Sequence, residues 1–130
     1  MSKQYRVPED LLYTETHEWI KVEGDVGTVG ITDYAQDQLH DIVYVDLPET
    51  GKNVKKGEIV LEIESVKAVA EVYSPVTGEI LEINELLNDS PEVINESPYE
   101  DGWLFKIRIE NKDELGSLIS PEEYRRLISK

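Results

Sequence analysis

Residues 58 to 80 read EIVLEIESVKAVAEVYSPVTGEI, and the way this stretch must fold decides how the rest of the chain is organised. Before Lys67, Ile59, Leu61 and Ile63 share one parity while Glu62 and Glu64 share the other, which is the two-residue period of a half-buried strand. After it, Ala70 and Val72 oppose Glu71 and Tyr73, a weaker version of the same period. The two arms predict a hairpin with Ser65-Val66-Lys67-Ala68 at its tip. These four residues include no Gly, Asn or Asp to supply positive φ, and the β-branched Val66 argues against a primed turn. A type I-like turn is expected, which accepts most residues and would hold the Lys67 side chain in solvent on a stiff support.

An amine so placed can be acylated without disturbing a core. A long acyl chain on it becomes a tethered reagent, kept at roughly millimolar local concentration near a docked partner. The plainer reading is a solvated lysine that discourages edge pairing. Spacing alone leaves both open.

ESVKA at 64–68, followed by SPVTGEI at 74–80, resembles the lipoyl-attachment hairpin of glycine cleavage system H proteins. THEW at 16–19, GITDYAQDQL at 30–39, DIVYVDLPETG at 41–51, NDSPEVIN at 88–95 and DGWLFKI at 101–107 resemble that family's other motifs in order. The resemblance therefore runs from about Thr16 to the C-terminus. It implies a mainly β fold, the lipoyl/biotinyl-type barrel-sandwich hybrid of two small antiparallel sheets, with short helices and a C-terminal helix. It also implies lipoate, covalently bound as N6-lipoyllysine at Lys67, with Glu64, Ser65, Val66 and Ala68 forming the attachment turn. On this resemblance the chain is a carrier without catalytic residues. Glycine decarboxylase (P protein) would load an aminomethyl group onto the arm, and aminomethyltransferase (T protein) would pass it to tetrahydrofolate. Dihydrolipoyl dehydrogenase (L protein) would reoxidise the arm, after a lipoate ligase or lipoyl/octanoyl transferase had installed it. The loaded arm would fold back into a cleft, and Thr16, Glu18 and Glu71 match the family's cleft positions. Two residues depart from the pattern: His40 stands where the family's glycine is expected, and Gln38 where some members carry histidine.

Other classes fit less well. Biotin carriers flank their lysine with methionines, where Val66 and Ala68 stand here. Lipoyl domains of 2-oxoacid dehydrogenases place an acid directly before it, whereas the nearest acid here is Glu64. A lipoyl relay that donates its cofactor to such carriers, and an unmodified acidic interaction module, are the remaining alternatives.

The bulk properties narrow the partners. At 130 residues and 39% hydrophobic the chain is one domain's worth. It is read as a single lipoyl-carrier domain over 1–130, with a β core at about 16–110 and a helix at 120–129. A formal net charge of -15 repels nucleic acid and anionic membranes, so basic or neutral docking surfaces are expected. The longest apolar run is Ile42 to Val45, too short to span a bilayer. MSKQYRVPEDLLY has no apolar targeting segment and is not Arg-rich and acid-poor, and the expectation is a cytoplasmic protein. Cysteine is absent, which leaves no protein thiolate to exchange with a dithiolane. His17 and His40 lack the short spacing of a helical zinc pair, and no metal is expected.

The remaining elements follow from local signals. Gly24-Asp25 should close a hairpin of Glu18–Glu23 with Val26–Ile31, with Trp19 packed inward. Thr32 should cap a short helix from Asp33 to about Leu39. Strands are expected at Ile42–Asp46, from Gly78 to about Asn84, and at Trp103–Ile109. Ser90-Pro91-Glu92 reads as a helix start, and Ser120-Pro121-Glu122-Glu123 as a capping box that opens the C-terminal helix, with Tyr124, Leu127 and Ile128 on one face. GEIVLEI at 57–63 and GEILEI at 78–83 form a weak internal echo.

Overall fold

The computed structural model describes residues 4–129. β2 (Glu18–Glu23) and β3 (Val26–Ile31) form the expected hairpin, closed by Gly24 at φ 63°. β3 pairs with β9 (Phe105–Ile109), β9 with β8 (Gly78–Ile83) and β8 with β5 (Asn53–Val54), while β1 (Leu12–Tyr13) extends the opposite edge. The result is a six-stranded antiparallel sheet in the order β1-β2-β3-β9-β8-β5. A second antiparallel sheet, β4-β6-β7, contains β4 (Ile42–Asp46), β6 (Ile59–Ser65) and β7 (Val69–Tyr73). This is the mainly β architecture of two antiparallel sheets that the resemblance implied.

One apolar cluster draws on both sheets, with Val29, Ile80, Phe105 and Ile107 from the larger and Ile63, Leu61 and Val72 from the smaller. β8 and β9 approach so closely that a Cβ on Gly78 would lie 1.9 Å from the Arg108 carbonyl oxygen, which is why only glycine stands there. A second cluster of Tyr13, Trp19, Tyr99 and Tyr124 lies under α4 (Pro121–Ile128). That helix starts as expected, with Ser120 accepting the N–H of Glu123 and Pro121 in the first turn.

Three expectations need correction. Ile59 is exposed, because a register shift between Ile59 and Leu61 breaks the simple alternation of β6 and turns Val60 inward. β8 carries a similar shift between Ile80 and Glu82, so the two echoing segments share an irregularity as well as a sequence. Ser90 caps no helix start; it ends α2 (Leu86–Asp89), and α3 (Val93–Glu96) begins after Glu92 without a side-chain cap. The last strand opens at Phe105 rather than Trp103, whose ring instead lies beneath the Lys106 ammonium at 5.4 Å.

α1 (Asp33–Leu39) forms where predicted, with Thr32 accepting the N–H of Ala35 at 3.2 Å. It ends at His40, which has φ 64° and ψ -149°. Among the described residues, no helix is long and apolar enough to cross a membrane.

Candidate functional site

The turn that carries Lys67 is built by Ser65. Its hydroxyl oxygen accepts the N–H groups of Lys67 (3.2 Å) and Ala68 (3.0 Å), and its O–H donates to the Ala68 carbonyl (3.2 Å). The backbone adds Ser65 N–H to the same carbonyl at 2.8 Å, and Val66 N–H to the Asp41 carbonyl at 2.9 Å. None of the four turn residues has positive φ, which excludes a primed turn and agrees with the reading from Val66. The tip is thus tied both to itself and to the chain leading into β4. Val66 is 67% exposed and Ala68 is exposed, while Glu64 faces solvent on β6 between Tyr44 and Val69.

Lys67 does not simply wave in water. Its Nζ donates to the Gln38 carbonyl at 3.2 Å, at the C-terminal end of α1, where unpaired carbonyls favour a cation. This contact uses the Gln38 backbone, so Lys67 would find the same carbonyl whether the side chain were Gln or His. His40 lies just past the end of the helix, exposed, and is not part of the cleft lining.

Gln38 also borders a cleft of about 310 Å³. α1 supplies one wall with Tyr34, Ala35 and Leu39, and the smaller sheet the other with Ile63, Ala70 and Val72. Thr16, His17 and Glu18 close one end, and Glu71 stands at the margin. The three residues nominated by resemblance, scattered from position 16 to 71, are brought to one cavity. Of its other lining residues, Gln38 stands out in the sequence only as a departure from the family pattern, and the rest of the helix face was not nominated. Tyr34 with Gln38 and Ala35 with Leu39 are spaced i, i+4, so the helix face was available once α1 had been drawn. From the sequence, His17 was weighed only as a metal ligand.

Glu18 is the unusual member, a carboxylate only 1% exposed. One of its oxygens accepts the hydroxyls of both Thr14 and Thr16, and the other accepts the Tyr73 N–H at 3.2 Å. Thr14 in turn accepts the Glu18 N–H at 3.0 Å, so the side chain is locked from both sides. Burial raises the Glu18 pKa above its ordinary value, and the hydrogen bonds that favour the anion offset this only in part. Thr16 and Glu71 are exposed. The Tyr73 hydroxyl donates to Glu71 at 3.2 Å, and this bond to an anion raises the Tyr73 pKa. His17 is half-buried, and desolvation lowers its pKa. Among the described residues no cluster of His, Asp and Glu is placed to hold a metal ion.

An apolar groove that Gln38, beside a reachable amine, and Glu18, a buried acid, both line suits a long chain with a cationic end group. Ala35 and Ala70 leave room for it, and Glu18 would supply the charge-assisted hydrogen bond that a desolvated cation requires.

The sequence model of the glycine cleavage H-protein family matches residues 11–130. The glycine cleavage system H protein of Rubrobacter xylanophilus is 54% identical over 120 residues, covering 92% of this chain and 93% of that protein. That of Thermotoga maritima is 56% identical over 113 residues, covering 87% and 91%. Among solved structures, the crystal structure of a glycine cleavage system H protein from Mycobacterium marinum superposes with a TM-score of 0.88 at 37% identity. The match covers 95% of this chain and all of that one.

Proposed function

Because the chain belongs to the glycine cleavage H-protein family, a non-catalytic carrier component of the glycine cleavage system, we propose that Lys67 is the residue on which it carries lipoate. The whole chain, 1–130, then serves as one carrier domain in the cytoplasm. Its partners are glycine decarboxylase, aminomethyltransferase and dihydrolipoyl dehydrogenase, together with the ligase or transferase that acylates Lys67.

The observation that carries this reading is the position of the Lys67 amine. It sits on a turn braced by Ser65, 3.2 Å from a carbonyl at the mouth of the cleft. An acyl group on Nζ would start at that mouth, and the apolar side chains of Leu39, Ile63 and Val72 offer its methylenes a dry path inward. When bound, the lipoyl group supplies a dithiolane whose sulfur can accept and release glycine's aminomethyl carbon. The protein's own residues do the rest. Ser65 and Val66 fix where the arm begins, the groove excludes water, and Glu18, with Thr16 and Glu71 beside it, holds the cationic amine of the cargo. Such a charge-assisted hydrogen bond contributes about 1.5–3 kcal/mol.

The test is intact mass together with turnover. Protein from lipoate-replete cells should carry one lipoyl-sized increment, and Lys67→Ala should carry none and support no glycine-dependent turnover. An exposed turn lysine contributes little to packing, so the variant's stability should stay within about 0.5 kcal/mol of the parent. An increment or turnover that survives the substitution would place the attachment elsewhere.

A further inference from the structure

α1 buries none of its own residues fully; Ala35 and Leu39 pack partly against the apolar core, and polar ties complete the anchoring of the wall it gives to the cleft. The most deeply buried of these ties runs through the C-terminal helix. Tyr124 is fully buried, with its ring stacked on Tyr13 at 4.7 Å between centroids and 12° between planes. Its hydroxyl lies 2.7 Å from Thr32 Oγ1 and 2.8 Å from His17 Nδ1. Thr32, also fully buried, is the residue that caps α1. His17 lines the cleft, and its ring sits 4.9 Å from that of Tyr34 on α1.

The protons can be assigned in a consistent order. Thr32 accepts the Ala35 N–H and donates its own hydroxyl to Tyr124, which donates to the bare Nδ1 of neutral His17, leaving the imidazole proton on Nε2. Each hydroxyl then has an acceptor, and a chain of this kind, buried at its Thr32–Tyr124 link, is costly to break.

We propose that Tyr124 is a positioning residue for the cleft. Its hydroxyl ties the α1 wall, through Thr32, to His17 at the closed end, and so sets how tightly the cleft closes over an acyl arm on Lys67. The inference rests on the reading that the arm occupies this cleft, and it gives the C-terminal helix a role in sheltering the cargo as well as in packing.

The experiment compares lipoylated parent, Tyr124→Phe and Tyr13→Phe. A small-molecule phosphine reduces the arm's disulfide, and the rate is read against free lipoamide. The Tyr13 hydroxyl donates to the Pro8 carbonyl at 2.7 Å and points into a different network. Tyr13→Phe therefore reports the cost of losing a phenol hydroxyl from the same stack. The parent should be reduced more slowly than free lipoamide, Tyr13→Phe like the parent, and Tyr124→Phe several-fold faster. In unlipoylated protein, the His17 Nδ1 resonance should leave its hydrogen-bonded position in Tyr124→Phe but not in Tyr13→Phe. Thr32→Ser should keep the protection and Thr32→Ala should lose it, a comparison that decides the matter even if Tyr124→Phe folds poorly. Parent-like protection in Tyr124→Phe or in Thr32→Ala, or equal loss in Tyr13→Phe, overturns the inference. A parent arm reduced as fast as free lipoamide is a different result, because it removes the arm from the cleft altogether.

Discussion

At the scale of single residues, Glu18 shows a conflict between what the fold prefers and what a carrier needs. Its burial disfavours the anion, while holding a cationic cargo requires the anion. A carboxyl whose folded pKa is raised above the unfolded one contributes stability that is fully present below the unfolded value. That contribution is lost as pH rises through the folded value. The parent should therefore lose stability relative to Glu18→Gln, beginning near the ordinary glutamate value of 4.5 and finishing above the raised one. The difference in melting temperature between parent and variant, followed from pH 4 to pH 8, isolates this group, because other titrations largely cancel. A difference that stays flat, or moves in the parent's favour as pH rises, would mean that burial does not control this carboxyl. Lipoylated Glu18→Gln should in turn shelter the loaded arm less well, because an amide cannot pair with a cationic cargo as a carboxylate does. A gain in stability coupled to a loss of function is the usual mark of a residue kept for its chemistry. Sequence alone could nominate Glu18 but could not show it to be dry. The two threonines lie within four residues of it, but the Tyr73 amide that completes the lock arrives only once β7 is in place beside it.

At the scale of elements, α1 was legible almost to the residue, because Thr32 and the acid after it are strong local signals. Its end was legible in another way. His40 replaces an expected glycine, and the structure shows why glycine would be preferred: φ 64° with ψ -149° borders a region that side chains with a Cβ rarely enter. The strain is held in place by Asn95, which donates to the His40 carbonyl (2.8 Å) and to Gln36 Oε1 (3.0 Å) while accepting the Ile42 N–H (3.0 Å). His40→Gly should relieve the strain and stabilise the protein by about 1 kcal/mol, after allowing for glycine's greater freedom when unfolded. For a chain of this length that is a rise of about 3–5 °C in melting temperature, read by calorimetry, and a fall would show that the backbone there is relaxed. Less legible were β6, whose register shift turned Ile59 outward, and the 86–96 segment, where two short helices replaced one. Both depend on pairing or packing partners far away in sequence, which local periodicity cannot register. The cleft was the least legible feature, because its walls come from α1 and from a different sheet, and nothing in either stretch names the other.

At the scale of the whole molecule, the charge decides how partners can approach. The chain carries -15, and the acids behind that charge include Asp41, Glu62, Glu64 and Glu71 near Lys67, all exposed. Acylation would remove the one positive charge at the tip and leave the carrier still more acidic. A protein that must visit several enzymes in turn gains from this only if each presents a basic surface around its active-site entrance, since opposite fields raise encounter rates by roughly 10- to 1,000-fold. Steering of this kind is screened as the Debye length falls from about 10 Å at 0.1 M salt to about 3 Å at 1 M. The chemistry inside a closed site is screened far less. With the lipoylated carrier as the varied substrate, kcat/KM for each partner should fall by about tenfold or more between 0.02 and 0.5 M sodium chloride, with kcat nearly unchanged. Stopped-flow association rates should fall in parallel and dissociation rates should not, because rim charges act on encounter more than on the docked complex. A salt-independent kcat/KM would show that the acidity serves solubility alone and that docking is led by the exposed apolar side chains near the tip, Val43, Tyr44, Val66 and Val69.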